Sequence, residues 1–281
     1  MQDVRPRRNF LKLASAVFPM AFPSPMLGLD ASLFGLTGGE QWSSSPTAPV
    51  ADLFPTQPPE LAREMVTVSH YDLNRVKDLV EARPSLSRAA WDWGFGDWET
   101  ALGAASHMGN RPIAEYLISK GGRPSLFSSA MLGHLEVVKA FVAAQPGVQR
   151  IRGPHSISLL AHAKAGGQAS GPVLDFLQSL GDADTDPRIP LSDSEAEGLR
   201  GTYVFGPAMN QQVDITVEQG GVVWTRKGMM GRQLFHLGGR AFYPAGAPAV
   251  HIRFREEGAA MLMTIEDPEV VLVARRKQES K

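Results

Sequence analysis

"GHLEVVKAFVAA", residues 133 to 144, sets the architecture of the chain. A glycine opens it, and Val137, Val138, Phe141 and Val142 recur at i, i+1, i+4 and i+5, which draws one apolar face on a helix. The same plan returns in "GNRPIAEYLISKGG" (109 to 122), where Ile113, Ala114, Leu117 and Ile118 take the face. It returns again in "YDLNRVKDLVEARP" (71 to 84), with Val76, Leu79 and Val80, and more loosely in "GPVLDFLQSLGDAD" (171 to 184). Ahead of each lies a second short helix rich in small residues, with "ETALGAASHMGN" corresponding to "PSLFSSAMLGH" and to "ISLLAHAKAGG". Small side chains let these inner helices lie close to their neighbours. Gly at the following turn supplies the left-handed backbone that stops the first helix.

These lines resemble ankyrin repeats. Thr100, Leu102, Ala105 and Gly109 match that family's pattern in one copy. Leu126, Ala130, Gly133, His134, Glu136, Val137 and Val138 match it in the next, and Gly181 and Asp184 sit near the expected end of the last. With Tyr71, Gly109, Gly133 and Gly166 taken as equivalent, the steps are 38, 24 and 33 residues. Only the last equals the usual ankyrin period of about 33. The resemblance implies a β-hairpin finger ahead of each inner helix, so the first finger is expected to be enlarged, the second nearly absent and the third normal. A plain helical bundle would satisfy the same apolar faces.

The chain has 281 residues, 43% hydrophobic and 20% charged, and no cysteine, so disulfides, thiolate metal sites and thiol catalysis are excluded together. Its formal charge is -1; the first 31 residues hold four of the 28 basic and two of the 29 acidic groups, which leaves the remainder at -3. A slightly acidic body gives no electrostatic case for nucleic acid. Within "RPRRNFLKLASAVFPMAF", Arg7, Arg8, Phe10, Leu11 and Lys12 resemble the twin-arginine export signal, with Pro6 in place of its usual Ser or Thr. The apolar run that follows is shorter than the roughly 20 residues a membrane span needs. The resemblance implies export to the periplasm or another extracytoplasmic space through the twin-arginine machinery. It leaves a membrane anchor open if the signal stays uncleaved. Residues 1–31 are therefore read as signal, 32–60 as a Gly-, Ser- and Pro-rich linker, 61–186 as the repeat domain and 187–194 as a second linker.

From residue 195 to 277 the period changes to two. "GTYVFG", "QVDITVEQ", "VVWTRK", "RQLFHL", "RAFYP", "VHIRFRE", "AMLMTIED" and "EVVLVARR" read as short strands, many separated by hairpin-type turns. In "VHIRFRE", Val250, Ile252 and Phe254 share one face, and His251, Arg253 and Arg255 the other. About eight antiparallel strands in so short a segment imply a small closed barrel or strongly curved sheet. The motif order resembles the accessory β domain that follows the catalytic domain of serine β-lactamase-like hydrolases, a domain without catalytic residues. The hydrolase itself is missing, since the chain has no Ser-x-x-Lys and no Gly-x-Ser-x-Gly.

Catalytic, cofactor and metal motifs are absent from the sequence. His70, His107, His134, His155, His162, His236 and His251 are scattered, with no His-Glu-x-x-His helix and no zinc-ligand spacing, so no metal or cofactor is expected. His134 falls at a helix turn, and His107 reads as structural or solvent-exposed. Carboxylates suggest no buried pair for acid-base work. The aromatic stretch "WDWGFGDW" (91 to 98) falls in the enlarged first finger. Trp91, Trp93 and Phe95 alternate there, which turns them to one side, and Trp98 is expected to pack on the helix ends. All four are candidates for protein contact, since Trp anchors interface hot spots. An uncovered patch of this kind burdens solubility, so cover by the linker or the β domain is expected. The functional expectation is an exported, non-catalytic scaffold or adaptor that binds another protein. Alternatives are a small-molecule carrier with Phe235, Phe242 and Met263 lining the barrel, or an enzyme of unrecognised type.

Overall fold

The computed structural model describes residues 55–186, 188–208, 211–218, 221–267 and 270–277. The signal residues Arg7, Arg8, Phe10, Leu11 and Lys12 and most of the first linker lie outside the described residues. Four helix hairpins come first: α1 (Pro59–Val68) with α2 (Leu73–Ala82), α3 (Ala101–His107) with α4 (Arg111–Ser119), α5 (Leu126–Met131) with α6 (Leu135–Ala144), and α7 (Leu159–Ala165) with α8 (Gly171–Ser179). Five of the eight begin at a polar cap. Asp72, Thr100, Asn110, Ser125 and Ser158 each accept a hydrogen bond from the backbone N–H three residues on. Each such cap satisfies a donor that the helix itself cannot, at about 1 kcal/mol.

The inner helices lie side by side, α1 on α3, α3 on α5 and α5 on α7, while α2 packs on α4 and α6 on α8. The small-residue faces allow this: Ala101, Ala104 and Ala105 of α3, Ala130 of α5 and Ala163 of α7 are all buried. Gly133 shows how close the approach is. Its φ is +78°, and a Cβ there would stand 2.2 Å from the carbonyl oxygen of Ala169, so only glycine fits. The segments between hairpins follow the unequal spacings. The first holds a two-stranded antiparallel finger, β1 (Ala90–Asp92) and β2 (Trp98–Thr100). The second contains no strand, and the third is closed by a single bridge between Arg152 and Ser158 around a short turn at Pro154–Ser156.

All eight expected strands form, and they close into an antiparallel barrel. They are β3 (Gly201–Val204), β4 (Gln212–Glu218), β5 (Gly221–Thr225), β6 (Arg232–Gly238), β7 (Ala241–Pro244), β8 (His251–Glu257), β9 (Ala260–Asp267) and β10 (Val270–Arg276). Each pairs with the next, and β10 returns to β3 through Arg275↔Val204 and Arg276↔Tyr203. The period-two reading holds at side-chain level: Val250, Ile252 and Phe254 point into the core, while Arg253 and Arg255 face out. Tyr203, Ile215, Trp224, Phe242, Phe254 and Met263 fill the interior against one another. Phe235 instead packs outside, with Tyr243 and Ala245, so Phe235, Phe242 and Met263 do not line one cavity. The acidic stretch read as linker forms a further helix, α9 (Asp193–Leu199), with a reciprocal Ser192–Glu195 capping box. Its Ala196 and Leu199 join the barrel core, and Leu199 also accepts a 2.8 Å hydrogen bond from the Tyr203 hydroxyl. Among the described residues no helix is long and apolar enough to cross a membrane.

Candidate functional site

The alternation of a strand places the first residues of the site. On β2, Trp98 points outward and is 64% exposed, while Glu99 points inward and is fully buried. Asp97, two residues before Glu99, is buried on the same side. The turn that delivers them is tight: Gly94, Phe95 and Gly96 all have positive φ, and the Gly94 N–H donates to Asp92 Oδ1 at 2.8 Å.

Three histidines reach the Glu99 carboxylate from different elements. His107 is the last residue of α3, and its Nε2 lies 2.9 Å from Oε1. His70 follows the end of α1; its Nε2 is 3.6 Å from Oε2 and 3.2 Å from His107 Nε2. His155 sits in the third inter-hairpin segment with φ 58°, a left-handed conformation uncommon for a side chain of this size, and its Nε2 is 3.4 Å from Oε2. Trp93 adds a fourth contact, its indole N–H donating to Oε2 at 2.8 Å. The outer nitrogens of two rings are also engaged. His70 Nδ1 lies 3.0 Å from the carbonyl oxygens of Val66 and Thr67, and His155 Nδ1 lies 2.8 Å from Asp97 Oδ2.

Asp97 ties the cluster to the barrel. It accepts the backbone N–H of His155 on Oδ1 at 3.0 Å, and Oδ2 meets Arg232 Nη1 at 2.5 Å. Arg232 opens β6, is itself buried, and donates to the Ala245 carbonyl at 2.8 Å. Beside it the Gly246 N–H donates to Ser156 Oγ at 2.7 Å. Phe95 packs edge-on to Trp224 of the barrel at 5.3 Å between ring centroids. The seam between helices and barrel is therefore polar at its centre and aromatic at its side.

The charge states follow from this crowding. Burial alone would raise the Glu99 carboxyl, but the adjacent imidazoles of His107 and His155 outweigh it and hold the group down at about 2. Burial would likewise lower His155; its bonds to Asp97 and Glu99 win and push it up to about 9. For Asp97, burial works against ionisation, but His155 and Arg232 prevail and lower it. His162, on α7, is buried with Nδ1 2.8 Å from Ser106 Oγ, and burial followed by the charge of His107 drops it to about 3. Four ligand-type atoms, one each from His70, Glu99, His107 and His155, lie within 4.8 Å of one another. Such a set can share a proton or grip a cation.

The structure thus redistributes the residues singled out from sequence. Trp91 and Trp93 pack against the helical core, whereas Phe95 packs against the barrel core. The three do not share one side, because the positive-φ turn at Gly94–Gly96 rotates Phe95 away. Trp98 does not pack on helix ends; the strand turns it to solvent. His70, His107 and His155, scattered in sequence, converge in space, and Asp97 with Glu99 makes the buried carboxylate pair that the sequence did not suggest. His236 is held by the carbonyls of Ile189, Pro190 and Gly239 on the barrel. One signal was present in the sequence: the alternation that sends Trp98 outward must send Asp97 and Glu99 the other way. No family model matches the chain, and no curated protein matches it in sequence.

Proposed function

We propose that this chain is an exported, non-catalytic binding protein in which an ankyrin-like stack and the barrel together hold a small polar ligand or ion at their seam. One observation carries the reading. Fully buried Glu99 is ringed by three imidazoles, and four ligand-type atoms of His70, Glu99, His107 and His155 lie within 4.8 Å of one another. So many polar side chains drawn from separate elements to one buried spot point to something that they hold. The ankyrin-like build supports the reading because the inner helices and fingers of such stacks supply the binding surface. The barrel's likeness to an accessory, non-catalytic domain is in keeping with a role as a fixed lid. Native mass spectrometry of the full chain tests this. The expected result is a mass excess of one species per chain, lost on denaturation and absent from Glu99→Gln. A chain that flies at its sequence mass, with Glu99→Gln indistinguishable from it, sinks the proposal.

A second reading keeps another protein as the partner. It draws on Trp98, which stands exposed on the finger, and on Val137 and Phe141, which stand exposed on α6. Loss of a co-purifying partner on Trp98→Ala, with unchanged melting, is its expected signature.

A further inference from the structure

The cluster poses a protonation problem. His70 Nδ1 faces two carbonyl oxygens and His155 Nδ1 faces a carboxylate, and these oxygens only accept. Both Nδ1 atoms must carry hydrogen, so each Nε2 is the atom that gives up a proton when its ring becomes neutral. Both Nε2 atoms face the Glu99 carboxylate, and that of His70 also faces His107 Nε2. Oε2 of that carboxylate is held by Trp93, and Oε1 meets His107 Nε2 at 2.9 Å. Three Nε2 atoms and a carboxylate converging on one buried spot can hold a metal ion in place of the protons they otherwise share.

We propose that His70, His107 and His155, through Nε2, and Glu99, through its carboxylate, bind a divalent transition-metal ion of the zinc class. The inference rests on the seam being a binding site and names what it takes. Ligand atoms about 2.0–2.1 Å from zinc at tetrahedral angles stand roughly 3.3 Å apart. The nearest contacts among these four groups run from 2.9 to 3.6 Å and the whole set lies within 4.8 Å, so the wider pairs draw in as the set closes on an ion. Three imidazoles and one carboxylate suit zinc, cobalt or nickel; calcium and magnesium want an all-oxygen shell, and no thiolate is present to favour copper(I). The surrounding shell matches too. Metal-bound histidines hand their other N–H to a carbonyl or carboxylate, which fixes the ring and its tautomer. Val66 and Thr67 do this for His70, Asp97 for His155, and Trp93 orients Glu99. The side chains of His70 and His155 are 20% and 19% exposed, which leaves an ion a way in.

The test uses the full chain without a histidine tag, stripped with chelator, then titrated with zinc chloride and with cobalt chloride near neutral pH. The expected result is one ion per chain, with strong visible cobalt bands of low-coordinate imidazole ligation and no competition from magnesium or calcium. His107→Ala weakens binding by about 100-fold or more, and Asp97→Asn, which touches no ion, by about 10- to 100-fold. His134→Ala, remote from the cluster, leaves affinity unchanged. Failure of the wild-type chain to take up stoichiometric metal overturns the inference, as does equal affinity in wild type, His107→Ala and Glu99→Gln. Should a ligand variant fail to fold, the wild-type cobalt spectrum decides alone, and weak bands typical of hydrated cobalt count against the site. If native mass spectrometry finds an organic species bound through Glu99 and metal is not taken up, the seam remains a binding site and the metal assignment falls.

Discussion

Asp97 serves three partners with two oxygens: the His155 ring, the His155 backbone and the Arg232 guanidinium. Removing one member of a buried charged set leaves the others uncompensated, at about 3–5 kcal/mol. Arg232→Met is therefore expected to lower the unfolding free energy, read from urea denaturation, by an amount near the bottom of that range, because His155 still neutralises Asp97. The double variant Arg232→Met, Asp97→Asn should recover part of the loss, and a double-mutant cycle reads the coupling. His162 makes a prediction of opposite kind. Its folded value near 3 lies below the unfolded value of about 6.5, so the unfolded chain binds the proton first. Stability is thus held above about pH 6.5 and falls progressively as pH drops toward 3. His162→Gln should flatten this acid limb, as measured by urea unfolding at neutral pH and in mild acid.

At the scale of elements, the first finger does two jobs through one local rule. Strand alternation turns Asp97 and Glu99 inward, and the Gly-Phe-Gly turn with positive φ throws Phe95 onto the barrel. Gly246 receives the finger on the barrel side. Its φ is +84°, and a Cβ there would come within 2.2 Å of Asp97 Cγ. Gly246→Ala is expected to destabilise by about 1–3 kcal/mol through strain and displacement of Asp97, and to weaken any ligand held at Glu99. Thermal melting and ligand titration of the same variant check both effects. The elements themselves were largely legible in sequence, because apolar period and turn glycines are local signals: the four helix hairpins and all eight strands stand where the patterns put them. The site was not. His70, His107 and His155 have no mutual spacing, and only the stacking of hairpins brings the ends of α1 and α3 beside the third inter-hairpin turn. Asp97 and Glu99 were partly legible, through the same alternation that exposes Trp98. The α9 helix was hidden because its acidic composition resembles a linker, while its two core residues, Ala196 and Leu199, are too few to draw a periodic face.

At the scale of the whole molecule, the buried Arg232–Asp97 pair, the Gly246–Ser156 bond and the Phe95–Trp224 contact join helices and barrel through groups that would be costly to expose singly. The two parts are expected to unfold together, giving one calorimetric transition in the wild-type chain. Arg232→Met combined with Phe95→Ala should split that transition or broaden it, with the barrel melting apart from the helices. The order in which the chain is made gives the seam a further property. All four residues around the cation position lie at or before His155, so they have left the ribosome while the barrel is still unmade. Arg232 follows 77 residues later, and Gly246 later still. A nascent chain therefore possesses every gripping side chain before it possesses the clamp that fixes Asp97 behind His155. Early capture of an ion would be loose and exchangeable, and completion of the barrel would turn it into slow, committed retention.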